Sequence, residues 1–373
     1  MIAIGMVAAM TGCGGADTTS TQDESVENVK EETATAQTTE ETNQETVVSE
    51  EVATEEPITE EPITEEPTTL SGPVEITITT VGSMYFDDAI VSACGEIGYD
   101  YLFEDVKDFI SESDIAVGTI QTPLPVPAYF DIGTSLANAG FDAIDVSTVN
   151  CLDSNDVDGL NKTMMSVFSA NMQTFGAYTN ANPYDKIAYI EVKGVKVAFI
   201  AGAQNIASEA DTVDINTIDE AVLISQIDEA KANGANAVVV FLNYPSDVMG
   251  VPEEFAQKLT EAGADLMIGT GMDYTIVGRK TLRIDGNASG LSYSSLGDFL
   301  DSNDEIAVIT RHHIVINENG EVNMGATCDA DVDMAVAGID KDDHYKLVLL
   351  TPDNVNYDAY SDDAQYIIKD ILK

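Results

Sequence analysis

Residues 135–148 read SLANAGFDAIDVST. A helical segment closes at Gly140, the residue type that most easily takes a left-handed helix cap. Two residues later AIDVST begins as a strand, and so abrupt a change of period is the join of an α/β unit. The same alternation extends in both directions. Upstream, VEITITTVG (74–82) reads as a period-two strand, LFEDVKDFISES (102–113) has helical spacing, and DIAVGTI (114–120) is a second strand. Downstream come an amphipathic helix, GLNKTMMSVFSANM (159–172), and a hairpin, KIAYIEVKGVKVAFIAG (186–202), with Lys193-Gly194 at its turn. IDEAVLISQIDEAKANG (218–234) is a helix ending at Gly234, and NAVVVFLNY (236–244) is a nearly all-apolar strand. PEEFAQKLTEAG (252–263) carries Pro252 at its start and Gly263 at its end, the expected helix asymmetry. ADLMIGTG (264–271), GLSYSSLG (290–297) and EIAVITRHHIVIN (305–317) supply further strands, and SDDAQYIIKDILK (361–373) a terminal helix. Apolar strands alternating with helices predict a layered α/β fold buried on both faces.

The chain of 373 residues carries 66 acids against 16 bases, a formal charge of −50. Such a surplus repels nucleic acid and anionic headgroups, so neither is an expected partner. Most of these acids read as a solvated surface. At 44% hydrophobic the chain has material for a real core. The four cysteines (Cys13, Cys94, Cys151, Cys328) form no C-x-x-C pair, and neither a zinc ribbon nor a dithiol redox site is indicated.

The N-terminus, MIAIGMVAAMTGCGGADTTS, resembles a bacterial lipoprotein signal, with MTGC (10–13) as the lipobox and Cys13 as the lipidated residue. No Lys or Arg precedes the apolar run. A lipid on Cys13 implies a chain held on the membrane at the extracellular face without a spanning helix. Residues 14–73 differ in composition, being rich in Thr, Glu and Pro and closing on EEPITEEPITEEPTT (55–69). With 17 acids and one base, Lys30, this segment reads as a disordered, extended stalk. The expected organisation is therefore signal 1–13, stalk 14–73, a main domain over 74–305, and C-terminal strands and helix over 306–373 completing it.

Six phrases, in order, resemble the CapA family of capsule or poly-γ-glutamate biosynthesis proteins: YLFEDVKDFISESDIAVG (101–118), TPL (122–124), SLANAGFDAIDVS (135–147), KGVKVAFIAG (193–202), LTEAGADLMIGTG (259–271) and YSSLGDF (293–299). The resemblance runs from Ile76 to Asn303. It implies a domain similar to calcineurin-like metallophosphatases, an α-β-β-α sandwich.

This chain departs from the family at the family's polar cluster. The family's first strand ends in Gly-Asp, where this chain has Gly82-Ser83. Its Asn-x-Glu becomes Thr119-Ile120-Gln121. Its Asn-Asn-His turn becomes Thr148-Val149-Asn150, with the following acid kept as Asp153. A His after the strand VVVFLNY becomes Asn243, and the Gly-His-His-Pro-His run becomes GTGMD, placing Thr270, Gly271 and Asp273 at the histidine positions. Ser-Leu-Gly-Asn-Phe appears with Asp298 for Asn. A dinuclear catalytic site needs imidazoles and carboxylates converging on its ions, so the resemblance implies an active site whose ligands have been replaced. Asp87, Asp88, Asp153, Asp273 and Asp298, with Asn150 and Asn243, form an alternative oxygen-only set suited to a hard divalent cation; the competing reading is solvated carboxylates. His312 and His313 are neighbours on one strand and point to opposite faces, and His344 reads as part of a surface turn.

No G-x-S-x-G, H-E-x-x-H or P-loop signature is present. Three functions remain on the page. One is a cell-surface CapA-like protein that binds or organises envelope polymer, or serves the capsule machinery, without hydrolysing anything. Another is a hydrolase or transferase rebuilt on Asp153, Asp273 and Asp298. The last is a solute-binding lipoprotein.

Overall fold

The computed structural model describes residues 70–153, 156–180, 185–206, 212–245, 248, 250–271, 275–276, 278–330, 332–341 and 344–373. The signal, Cys13, stalk residues 14–69 and Asp273 lie outside the described residues.

Two large sheets form the centre. In the eight-stranded sheet the order is Lys346–Leu349, Asp333–Asp340, Ile306–Ile316, Val74–Met84, Ile115–Ile120, Ala143–Asp145 and Gln173–Phe175, with Asp298–Leu300 paired to the end of Val74–Met84. In the six-stranded sheet it is Lys280–Ile284, Asn287–Tyr293, Leu266–Thr270, Ala237–Asn243, Val195–Ala203 and Ala188–Val192. Pairing is parallel from Val74–Met84 through Gln173–Phe175, and again among Val195–Ala203, Ala237–Asn243 and Leu266–Thr270. The Lys346–Leu349 end of the first sheet and both ends of the second are antiparallel.

Period-two alternation sorts the side chains into three apolar layers. Ile76, Ile78, Val117 and Phe175 of one sheet meet Val197, Phe199, Phe241 and Ile268 of the other in an apolar inter-sheet core. On the outer face of the first sheet, Met84, Phe103, Leu136, Ile144 and Phe299 pack with the helices Tyr129–Ala139 and Val157–Ser169. On the outer face of the second, Ile200, Val240 and Met267 meet Leu223, Ile227 and Leu259 of the helices Glu220–Ala232 and Glu253–Ala262. Helix, sheet, sheet, helix is the expected sandwich. The terminal helix Asp362–Ile371 adds a small cluster in which Ala364 and Ile368 cover Val336 and Leu350. Leu70, four residues before the first strand, is partly buried against the inter-sheet core.

Two local expectations change. The stretch 102–113 is not one helix but two short ones, Asp100–Phe103 and Lys107–Ser111. Val106 N–H bonds back only three residues to Phe103, tightening the chain so that Leu102, Phe103, Val106 and Ile110 all reach the outer core. The strand 74–84 alternates only at its start: from Ile78 onward every residue is buried. It lies in the middle of a sheet covered on both sides, so its threonines find partners inside. Thr80 Oγ1 lies 2.8 Å from Thr310 Oγ1 and 3.0 Å from His312 Nε2.

Candidate functional site

The carboxyl ends of the parallel strands from both sheets converge, the position where α/β sheets place their sites. Strand parity decides what points inward there. Ile115 and Val117 face the inter-sheet core, so Thr119 and Gln121 share their side; Ala143 does, so Asp145 follows. Val239 and Phe241 carry the parity to Asn243, and Leu266 and Ile268 carry it to Thr270. The first strand needs a correction to bring Ser83 to the same face. A bulge supplies it: the register with Ile115–Ile120 slips between Thr80 and Ser83, one extra residue that flips the alternation. Gly82 makes this possible. A Cβ there would stand 2.0 Å from Gly297 O, because Gly82 packs directly on the backbone of the loop before Asp298–Leu300.

The gathered groups form a closed hydrogen-bond network. Gln121 and Asn243 exchange a reciprocal amide pair: Asn243 Nδ2 donates to Gln121 Oε1 at 2.9 Å and Gln121 Nε2 donates to Asn243 Oδ1 at 3.3 Å. Ser83 Oγ donates to Gln121 Oε1 at 2.9 Å and accepts from Gly271 N at 3.1 Å. The remaining valences are also taken. Asn243 Nδ2 donates to Thr270 Oγ1 at 3.0 Å, and Asn243 Oδ1 accepts from Val149 N at 2.9 Å. Gln121 Nε2 donates to Asn150 Oδ1 at 3.2 Å, and Asn150 Nδ2 donates to Asp153 Oδ1 at 3.2 Å. Thr148 Oγ1 donates to the Gln121 carbonyl at 2.7 Å. Each amide of the Gln121–Asn243 pair thus uses its two donors and both acceptor lone pairs. Ser83, Gln121, Thr148, Asn243 and Thr270 are fully buried, while Asn150 and Asp153 are half-buried at the rim. Gly271, at φ +78°, is pressed against Asn243: a Cβ would lie 2.6 Å from its amide nitrogen.

Thr119 is not in this network. Its hydroxyl lies 3.4 Å from Asp145 Oδ2 in a neighbouring cluster, where Asp145 Oδ1 accepts from Ser147 N at 2.8 Å. Burial raises the Asp145 pKa to about 8, against the lowering effect of those two hydrogen bonds. Cys151 is likewise raised to about 11 by burial. Ser147 Oγ donates to Asn216 O, and Asn216 pairs reciprocally with Gln226. Asp145 was not singled out by the motif reading, although a lone acid ending the apolar run AID was the available signal.

The oxygen-only cation set does not assemble as expected among the described residues. Asp87 is an N-cap, accepting from Ala89 N and Ile90 N, and Asp88 is an exposed acid in that helix's first turn. Asp153 is engaged by Asn150, and Asp298 is buried as the register partner of Ser83. His312 is buried and His313 is turned to Glu75 and Asp333 on the other face; His344 contacts Ala93 O. Among the described residues no group of three or more His, Cys, Asp or Glu side chains is placed to hold a metal ion. Among the described residues the inner network is made of neutral amides and hydroxyls whose bonding capacity is spent on one another, with no imidazole in it and Asp153 and Asp298 beside it as single acids, so the donors converging here do not fit a dinuclear ion pair.

Residues 77–275 match the family described as Bacterial capsule synthesis protein PGA_cap. Capsule biosynthesis protein CapA of Bacillus anthracis is 24% identical over 224 residues, which are 52% of this chain and 54% of that protein. This chain thus spans about half the length of that relative. Among solved structures, a hypothetical protein from Thermus thermophilus superposes with a TM-score of 0.45 at 13% identity, over 70% of this chain and 99% of its own. The NAD nucleotidase of Haemophilus influenzae gives 0.45 at 10% identity, over 80% of this chain and 62% of its own. A phosphatase from Mycoplasma pneumoniae gives 0.45 at 10% identity, over 72% and 95% respectively.

Proposed function

This chain belongs to the bacterial capsule synthesis protein family PGA_cap, and we propose that its part there is to bind or organise envelope polymer rather than to hydrolyse it. The observation that carries this reading is the reciprocal Gln121–Asn243 amide pair. It links the two sheets at the point where a hydrolase of this outline would converge charged ligands on its ions, and its hydrogen-bonding capacity is spent internally. Neither amide can act as general acid, base or nucleophile near neutral pH. Asp145, the acid nearest these strand ends that the motifs did not predict, is buried and turned to Ser147 and Thr119.

The setting supporting a surface role is the lipobox ending at Cys13 with the Thr/Glu/Pro stalk behind it, a tether that would hold the domain on the extracellular face. Among the described residues no helix is long and apolar enough to cross a membrane. Outside residues 16–73 the chain still carries a formal charge of −34, so a polyanion such as poly-γ-glutamate would be repelled unless divalent cations bridge it or the ligand is a neutral sugar or peptide. Calorimetric titration of the purified protein with Mn²⁺, Zn²⁺ and Ca²⁺, together with assays of phosphoester and polyglutamate hydrolysis, tests the proposal. No tight stoichiometric transition-metal binding and no turnover are expected. Two tightly held Mn²⁺ ions, or turnover lost both in Asp153→Ala and on adding a chelator, would replace this reading with that of a rebuilt hydrolase using Asp153, Asp273 and Asp298.

A further inference from the structure

The strands Val74–Met84, Ile306–Ile316 and Asp333–Asp340 lie side by side, and a row of charges crosses their outer face. Arg311 and His313 share the parity of Ala307 and Ile309, which pack in the outer core, so both side chains point to that side. From the end of the helix Lys107–Ser111 to the first strand the row runs Glu112, Arg311, Asp333, His313, Glu75. Arg311 lies 3.3 Å from Glu112 Oε2 and 3.6 Å from Asp333 Oδ2. It is held there by stacking on Phe109 and by donating to Phe109 O and Ser113 Oγ. His313 Nε2 lies 3.3 Å from Asp333 Oδ2, and its Nδ1 lies 2.8 Å from Glu75 Oε1. Both ring nitrogens therefore face carboxylate oxygens, which only accept. A neutral imidazole has one N–H and would turn a lone pair on one of the two acids, so the arrangement is that of an imidazolium. The other groups around the ring are neutral or engaged elsewhere. Thr77 is its register partner on the first strand, Lys193 at the hairpin turn donates to Glu75 O and Asp114 Oδ2, and Thr327 Oγ1 accepts from Val315 N.

Asp333 is also where the chain rejoins the sheet after the helix Met324–Asp329, and Cys328 and Val332 pack against the inter-sheet core from that connection. The start of the helix is fastened twice to the neighbouring strand: Asn323 N donates to Val315 O at 2.7 Å, and Val315 N donates to Thr327 Oγ1 at 3.1 Å. Its far end is held by Arg279 Nη2, which donates to Cys328 O at 2.8 Å, and through Asp333. We propose that His313 is a proton-dependent clasp: its imidazolium ties Asp333 to Glu75 across the strand between them, and its neutral form keeps the shorter bond to Glu75 and lets Asp333 go, loosening the far end of the helix Met324–Asp329 from the inter-sheet core. Both acids are about half exposed, so a freed Asp333 exchanges the ring for water and the opening stays local. The two carboxylates raise the His313 pKa against the opposing effect of burial, which puts the release on the alkaline side of the ordinary histidine value.

Nitrogen-detected NMR titration of the histidine rings in the full chain reads the clasp directly, with His313 assigned by its disappearance in His313→Gln. Between about pH 5 and pH 10, both of its nitrogens should stay protonated up to a midpoint above about 6.5, and the remaining proton should then sit on Nδ1, facing Glu75. Asp333→Asn should move that midpoint down. A wild-type midpoint at or below about 6.5, no shift in Asp333→Asn, or a neutral ring protonated on Nε2 would overturn the proposal. Hydrogen exchange reads the release. As pH passes the His313 midpoint, the amides of Ala330 and Ala335 should lose protection beyond the intrinsic acceleration, while those of Asn323 and Thr327 keep it. In His313→Gln, Ala330 and Ala335 should be weakly protected at every pH, with no such step. The same step in His313→Gln, no step in the wild type, or a loss shared equally by all four amides would rule the clasp out.

Discussion

At the scale of single residues, a pair of buried side-chain amides braces the two sheets against each other. Gln121 and Asn243 come from different sheets, and each is fully buried and fully bonded. Asn243→Ala should therefore cost about 2–4 kcal/mol, since Val149 N–H and Gln121 lose partners they cannot replace with water. Asn150→Ala, at the half-exposed rim, should cost under about 1 kcal/mol, because solvent can satisfy Gln121 Nε2 there. Urea unfolding midpoints of the two variants measure the difference; equal effects would show that the network is not sealed. The reverse experiment follows from the same chemistry. Combining Ser83→Asp, Gln121→Glu, Asn150→His and Asn243→His should give a metal-free protein less stable than the wild type that Mn²⁺ restabilises, with a thermal midpoint rising with ion concentration. Gln121 and Asn243 were singled out by the motif reading, and strand parity counted from Ala237 or Ile115 already puts both on the inner face. The partnerships were not legible, because they join residues 122 positions apart across two sheets. For the same reason the Thr119–Asp145 contact, between strands 26 residues apart, escaped the motif reading.

At the scale of elements, strands and helices with a strong period emerged where the pattern put them, with their terminal glycines in left-handed caps at Gly140 and Gly263. The three-residue strands Gln173–Phe175 and Val213–Ile215 were not legible: segments so short have too few residues to show a period, and exist by pairing with neighbours already in place. The bulge in the first strand was equally silent, yet it determines which face Ser83 serves. Gly82→Ala tests how much depends on it. Its methyl group would overlap the Gly297 carbonyl, which is main chain and cannot swing aside. The loss should exceed about 3 kcal/mol, read as a drop in the chemical unfolding midpoint. Gly72→Ala, where a Cβ meets nothing within 4 Å, should be close to neutral. If Gly82→Ala were equally mild, the packing of the first strand on the Gly297 loop would not be what sets the bulge.

At the scale of the whole molecule, two buried ionisable groups give the stability profile opposite slopes with pH. His312 sits between Thr80, Thr310 and the edge of Tyr293, and burial lowers its pKa to about 3, with Arg279 and His313 acting in the same direction. As pH falls below the ordinary histidine value the unfolded chain takes a proton that the fold refuses. The stability His312 contributes is therefore present above about pH 6.5 and is lost progressively on acidification toward the folded value. Asp145 runs the other way: its raised value makes the fold the proton-binding state from the ordinary aspartate value up to about 8, so stability falls as pH rises through that window. His313, whose pKa is raised by its hydrogen bonds to Glu75 and Asp333, adds a contribution of the same sign as Asp145, and being partly exposed it is reduced by solvent screening. Self-repulsion of the acidic surface, which deepens as carboxylates ionise, leans the same way. Where the His312 and Asp145 windows overlap, between about pH 4 and pH 6.5, their slopes offset each other, so the wild type should be most stable in mildly acidic solution and decline toward about pH 8. His312→Gln should flatten the acid limb and leave the alkaline decline intact, whereas Asp145→Asn should flatten part of the alkaline decline and leave the acid limb. Urea midpoints at half-unit pH intervals for the three proteins resolve the two limbs. A wild-type profile that rises through pH 7 would mean that Asp145 is ionised in the fold and that the strand ends admit water.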